Sequence, residues 1–215
     1  MIQRKKYGFI ITTILCLLFI LMGCSDLSET PNSNKVSNNK EVIKFYPTIS
    51  KATANNTFSE PLNKEKIGEQ ILTLKDDKTQ INFFKSTYNN QDTVTVYKYQ
   101  LRQDAGRLLY SSPTNATQII WHAQLDSQKK AKLSNTDEIR LALKMNNPRQ
   151  TFNLNPNATS LQWGISKEAS TPSLTIDGQV PTKVIPITLD GDNVYFWYFE
   201  NLVSKKNADS MKISF

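Results

Sequence analysis

Cysteine and histidine are scarce in this 215-residue sequence, which contains two cysteines and one histidine. Cys16 and Cys24 both lie within the first 25 residues, so the rest of the chain has no thiol for a disulfide, for thiol catalysis or for a cysteine-ligated metal. His122 is the one candidate for a histidine-based catalytic triad, and no Ser or Asp near it in sequence forms a recognisable nucleophile pattern. We therefore expect His122 to be a surface or hydrogen-bonded residue.

The sequence motifs of common reactions are also missing. There is no Gly-x-Ser-x-Gly, Ser-x-x-Lys or His-Glu-x-x-His pattern, no phosphate-binding loop and no dinucleotide fingerprint. From these absences we predict a protein that is not an enzyme, with no catalytic residue, no metal site and no cofactor.

The chain lacks a concentrated positive charge, although it has 26 Lys and Arg against 19 Asp and Glu. Residues 1–23 carry three basic residues and no acidic one, so the excess over the remaining 192 positions is 23 against 19, or +4. A nucleic-acid interface needs a basic face, and the remaining lysines are scattered. We expect no nucleic-acid partner.

The first 24 residues have the layout of an export signal. A basic cluster at residues 4–6 precedes an apolar run at residues 7–21, which is shorter than the roughly 20 residues of a membrane-spanning helix. The run ends in Leu21-Met22-Gly23-Cys24, which resembles the lipobox of bacterial lipoproteins. The resemblance implies cleavage before Cys24, a diacylglyceryl group on its sulfur, a further acyl chain such as palmitate on its amine, and membrane lipid as a partner. The alternative is an ordinary secretory signal that happens to have Cys24 near the cut.

Residues 24–41 are rich in Asn, Ser and charge, and contain too little apolar surface to fold. We interpret them as a flexible, lipid-anchored tether that keeps a domain at residues 42–215 on the extracytoplasmic face of the cell membrane. The Asn, Lys and Ser composition resembles that of lipoproteins from low-GC Gram-positive bacteria, although Ser25 after the cysteine also permits outer-membrane sorting in a Gram-negative cell.

Residues 42–215 show mainly the two-residue period of β-strands. Apolar residues alternate in the segments 119–125, 139–145 and 161–165, and the segment 93–101 is apolar on both faces, as at a bulge or a strand that changes layer. Turn residues separate these runs, above all the steps Asp177-Gly178 and Asp190-Gly191. We predict a mostly β fold, a single antiparallel β-sandwich of 8 to 10 strands, with one short helix within residues 61–70.

Residues 184–189 and 194–199 read as a hairpin, and Pro186 places its first arm at a sheet edge, since proline has no N–H for a ladder. The second arm carries Tyr195, Trp197 and Phe199 on one face. If that face is exposed, it is a candidate ligand surface of stacked aromatic rings; if it is covered, it is core, which we favour. Asp177, Asp190, Asp192 and Asn193 could also supply oxygen ligands to a cation, but Asp-Gly-Asp-Asn is what a hairpin turn needs anyway, and we favour the turn role.

Three classes of function remain open. The first, which we favour, is a non-enzymatic binding or interaction module at the cell envelope, with a peptide, a wall glycan or a membrane protein as its partner. The second is an envelope hydrolase that uses two carboxylates. The third is a structural or assembly lipoprotein.

Overall fold

Antiparallel β-strands make up most of the structure, a computed structural model that describes residues 43–121, 124, 126, 130, 133–146, 152–154, 161–204 and 206–215. The residues from Val42 to Phe215 form one compact unit. Within its described part, no helix is both long and apolar enough to cross a membrane. The strands and helices occur in the following order: β1 (Phe45–Tyr46), α1 (Ile49–Ala54), β2 (Lys66–Lys75), β3 (Thr79–Tyr88), β4 (Gln91–Asp104), β5 (Arg107–Ser111), β6 (Asn115–Ile120), α2 (Asn135–Asn146), β7 (Gln162–Ser166), β8 (Thr175–Ile176), β9 (Lys183–Leu189), β10 (Asp192–Phe199) and β11 (Ile213–Ser214), with short 3-10 turns at Thr171–Ser173 and Ala208–Ser210.

The first sheet is built around β4. Its strands have the order β1-β5-β4-β3-β2, and β6 also pairs with β4. Along one edge β4 pairs with β3, and along the other it pairs first with β6 and then with β5. Val94 and Val96 face the main core, whereas Tyr97 and Tyr99 face a second core beneath α1. The double-sided apolar pattern of residues 93–101 therefore reflects a sheet that is covered on both faces.

The second sheet has the order β7-β10-β9 and packs against the first. Aromatic rings from the two sheets meet between them: the ring centroid of Phe83 lies 5.4 Å from that of Trp163 and 5.2 Å from that of Phe196. These edge-to-face contacts have the spacing and orientation that aromatic pairs prefer. The prediction of a mostly β protein with an antiparallel sandwich is confirmed, and the described residues contain eleven strands, of which three have two residues.

The predicted β9–β10 hairpin is confirmed. Asp190 and Gly191 form its two-residue turn with φ angles of 49° and 82°, the left-handed conformation that this turn type requires. Strand β9 is an edge strand, as Pro186 predicts. Asp177 and Gly178 form a similar turn, with φ angles of 50° and 78°.

The predicted strand at residues 139–145 is wrong, since helix α2 occupies this segment. A pattern of apolar residues at every second position also places apolar residues four positions apart, which is the spacing of one helix face. Ile139 and Leu143 lie on that face of the helix and are buried. Ser134 caps the helix: its carbonyl accepts the first helical hydrogen bond, and its Oγ accepts one from the N–H of Asp137. The cap and the helix-forming residues outweigh the two-residue period.

Two other predicted elements differ from the structure. Strand β6 ends at Ile120, and the described residues that follow, Trp121, Gln124, Asp126 and Lys130, are helical, so the strand predicted at 119–125 is mostly wrong. No helix forms at 61–70, where a turn leads into β2 at Lys66. The strand predicted at 161–165 is confirmed as β7.

Candidate functional site

Two of the residues singled out in the sequence, Cys24 and His122, lie outside the described residues, as do the predicted signal peptide and the predicted tether at residues 1–41. The structure therefore bears on the aromatic strand and the acidic turns.

The aromatic face of β10 is mostly core. Trp197 and Phe199 are 0% and 2% exposed, because helix α2 covers this side of the second sheet with Ile139 and Leu143. The alternative of an exposed surface formed by Tyr195, Trp197 and Phe199 is thus wrong for its last two members. Of the three, Tyr195 alone keeps part of its surface exposed.

An open groove of about 490 Å³ lies beside Tyr195, on the outer face of the second sheet. We call it the Tyr195 groove. Pro186 lies directly across from Tyr195 in the β9–β10 ladder, and Thr188 lies across from Asn193. Pro186, Thr188 and Asn193 are exposed, so the groove combines an aromatic ring and a proline ring with hydroxyl and amide groups. Its other wall is formed by Lys167 and Ala169, just after β7.

The groove lies at a free sheet edge. Because Leu189 and Asp192 flank a two-residue turn, they form a hydrogen-bonded pair, and the backbone groups of Thr188 and Pro186 point away from β10. The ammonium of Lys85, from the first sheet, donates a hydrogen bond of 2.7 Å to the carbonyl of Thr188. A proline and a lysine on this edge limit pairing with a further strand.

The acidic residues beside the groove are engaged within the protein. Asp192 accepts hydrogen bonds from Lys167 at 2.9 Å and from the indole N–H of Trp121 at 3.0 Å. Asp190 and Asp92 accept each other's backbone N–H groups, at 2.8 and 2.7 Å, and so join the hairpin turns of the two sheets. The carboxylates of Asp190 and Asp192, on either side of the β9–β10 turn, therefore serve as structural hydrogen-bond acceptors.

Asp177 has a similar structural role. Its carboxylate accepts hydrogen bonds from the ammonium of Lys206, the backbone N–H of Lys212 and the hydroxyl of Ser204, each at 2.9 Å. The bond from Lys206 and the other two donors lower the pKa of Asp177 to about 2. Within the part of the chain that is described, no group of three or more His, Cys, Asp or Glu side chains is placed to hold a metal ion.

A polar cluster that the sequence analysis missed lies on the outer face of the first sheet. We call it the Glu65 cluster, and it consists of Glu65, Thr95, Tyr97 and Gln118. The half-buried carboxylate of Glu65 accepts hydrogen bonds from the hydroxyl of Thr95 at 2.5 Å, from the side-chain amide of Gln118 at 2.5 Å and from the hydroxyl of Tyr97. Burial raises the pKa of Glu65 although these three donors act to lower it, and burial together with the bond to Glu65 raises the pKa of Tyr97.

The sequence contained one indirect signal of this cluster. Thr93, Thr95, Tyr97 and Tyr99 alternate with valines and a lysine along β4, which indicates a face with hydroxyl groups behind the apolar one. Nothing in the sequence points to Glu65, because its partners lie 30 to 53 residues away in the chain.

Comparisons of the chain with models of known protein families, with curated proteins and with solved structures find no match.

Proposed function

We propose that the protein is a non-enzymatic binding module of the bacterial cell envelope, held at the outer face of the cell membrane by a lipidated Cys24. The tetrapeptide Leu21-Met22-Gly23-Cys24 behind a basic and an apolar segment supports the anchor. Two acyl chains hold a protein stably at a bilayer, whereas one chain binds reversibly.

The observation that carries the binding role is the Tyr195 groove. Its volume of about 490 Å³ lies within the roughly 300–1,000 Å³ of small-molecule pockets. Aromatic rings such as that of Tyr195 provide contact area at low entropic cost, and the exposed Asn193, Thr188 and Lys167 supply donors and acceptors around it. A groove that is open on one side suits a chain-like ligand, so the candidates are an envelope peptide, a wall glycan or a segment of a neighbouring membrane protein.

The arrangement of the carboxylates favours binding over hydrolysis. The two sheets bring Asp92 and Asp190 together, and each carboxylate accepts a hydrogen bond from the other's backbone N–H. Asp92 also pairs with Lys85 at 3.1 Å. A glycoside hydrolase of the common two-carboxylate type needs one carboxylic acid and one carboxylate that face the substrate, and these two groups face each other's hairpin turns instead.

Photocrosslinking in intact cells tests this proposal. A photoreactive phenylalanine analogue replaces Tyr195 in one variant and Arg107, which is exposed on β5 of the other sheet, in the control. We expect a specific adduct from position 195 that is absent from position 107. With the analogue at Asn193, an exposed residue of the same groove, we expect Tyr195→Phe to retain, and Tyr195→Ala to lose, the capture of that same molecule. Identical adduct patterns from both positions, or none from either, would contradict a ligand surface at the groove.

A further inference from the structure

The Glu65 cluster contains a negative charge for which the described part of the chain supplies no cation. Lys64, its neighbour in sequence, pairs with Glu60 at 2.5 Å, and no Lys or Arg among the described residues pairs with Glu65. A partly buried carboxylate without a positive partner is unfavourable, even when hydrogen bonds to it compensate in part. The cluster is therefore electrostatically suited to a positively charged group from outside.

The hydrogen-bonding groups of the cluster show which kind of cation fits. The hydroxyls of Thr95 and Tyr97 and an N–H of Gln118 all donate to Glu65, so the donors are already used. An acceptor is still free, since the side-chain carbonyl of Gln118 is buried and has no hydrogen-bond partner in the part of the chain that the structure describes. A group that donates several hydrogen bonds and accepts none, such as an ammonium, complements this pattern.

Two more side chains on the same face of the sheet support a ligand. Ser86 and Thr93 are directly opposite each other on β3 and β4, and Thr93 precedes Thr95 by two residues on the same strand face. They are 1% and 0% exposed, and neither hydroxyl has a hydrogen-bond partner among the described residues. Buried hydroxyls are nearly always hydrogen-bonded in native proteins, so a group that completes them is missing from the described chain.

Aromatic rings border the cluster. The ring of Phe58 stacks on that of Tyr97 with 6.4 Å between the centroids. The ring centroid of Phe84 also lies 6.4 Å from that of Tyr97, with the two rings tilted relative to each other. Ring faces attract organic cations through their quadrupole. A single carboxylate with neutral oxygens and aromatic neighbours suits an organic cation better than Ca²⁺, which takes six to eight oxygen ligands and usually several carboxylates.

We propose that the Glu65 cluster is a second binding site, which takes a primary ammonium group such as that of a lysine side chain or an alkylamine. It lies on the outer face of the first sheet, whereas the Tyr195 groove lies on the outer face of the second, so the two sites are tested independently. The ammonium donates its three N–H groups to Glu65, to the carbonyl of Gln118 and to the hydroxyl of Thr93, and that hydroxyl in turn donates to Ser86, which lies opposite it.

The test is an NMR titration of the isotope-labelled full-length protein, purified in a non-ionic detergent, with n-butylammonium chloride. The neutral control ligand is n-butanol, which has a similar size. We expect saturable shifts of the backbone amides of Glu65, Thr95 and Gln118 with butylammonium and none with butanol. The absence of saturable shifts with butylammonium, equal shifts with butanol, or saturation by CaCl₂ instead overturns the proposal.

Variants assign the effect to this site. Glu65→Gln keeps the shape of the side chain and removes its charge, and we expect it to weaken butylammonium binding at least tenfold. Glu69→Gln removes an exposed carboxylate four residues away on β2 and leaves binding unchanged. Thr93→Val removes one buried hydroxyl without altering the charge, and we expect a smaller loss of affinity. If Glu65→Gln and Glu69→Gln bind as the unmodified protein does, Glu65 is not the site.

Discussion

Gly164 lies on β7 where helix α2 packs against the second sheet, and Gly164→Ala tests this packing. A Cβ atom added at this position would lie 2.5 Å from Cζ2 of Trp197, 2.8 Å from its Cε2 and 3.0 Å from Cβ of Ala142 on α2. Separations below 3.0 Å lie far inside normal carbon contacts. The indole ring of Trp197 or helix α2 must therefore shift to accommodate the added methyl group.

The indole ring has little room to yield. Trp197 is 0% exposed, and its ring packs edge-on against Phe199 with 6.1 Å between the centroids. Overpacking of this kind costs typically about 1–3 kcal/mol. Replacing glycine by alanine also lowers the conformational entropy of the unfolded chain, which by itself would stabilise the protein by about 0.4–1 kcal/mol. We therefore expect a net destabilisation of about 1–2 kcal/mol. For a domain of this size, 1 kcal/mol corresponds to about 2–4 °C, which gives a melting temperature lower by about 2–8 °C.

Urea unfolding of the purified protein, followed by tryptophan fluorescence and circular dichroism, measures this effect. Trp197→Phe removes the ring atoms that clash and leaves a cavity of its own. The double variant should therefore be more stable than the sum of the two single effects predicts, by about 1 kcal/mol or more. A Gly164→Ala variant as stable as the unmodified protein, or strictly additive effects in the double variant, would refute this account of the layer between α2 and the sheet.

Three further predictions concern single side chains. Asp177→Asn should lower the free energy of unfolding at pH 7. Because the pKa of Asp177 is about 2 in the folded protein and about 3.9 for an unfolded aspartate, the stability difference from the unmodified protein should shrink in thermal melts as the pH falls from about 4 to 2. A difference that stays constant with pH would argue against the bonds from Lys206, Lys212 and Ser204. Pro186→Val should restore an N–H on the free edge of β9 and cause concentration-dependent association in analytical ultracentrifugation, whereas unchanged sedimentation would show that the edge is protected by other means. Ser134→Ala should cost about 1 kcal/mol through loss of the N-cap of α2, as urea unfolding would show, and Ser134→Thr should restore most of it.

The β9–β10 hairpin was predictable because all its signals are local. The Asp190-Gly191 step sets the turn, apolar residues fill the flanking strands, and Pro186 places β9 at an edge. Helix α2 was mistaken for a strand because the apolar positions of residues 139–145 satisfy both periods. The cap at Ser134, outside that segment, was the signal that decides between them.

The candidate sites were harder to predict, because they depend on contacts between distant parts of the chain. The sequence identifies Tyr195 but gives no means of telling that α2 covers Trp197 and Phe199 and leaves Tyr195 beyond its edge. Glu65 lies in the segment 61–70, where the sequence predicted a short helix and the structure has a turn that leads into β2. Its environment arises when β4 and β6 pair and place Thr95 beside Gln118, a pairing that no local pattern encodes.

We propose that a lipid-modified Cys24 holds residues 42–215 at the cell surface. Mass spectrometry of the native protein's first residues, on material extracted from membranes with detergent, tests it most directly. We predict a mature chain that begins at Cys24 with a diacylglyceryl thioether on its sulfur. A chain that begins at another residue, or a Cys24 thiol that carries no lipid, would contradict the account.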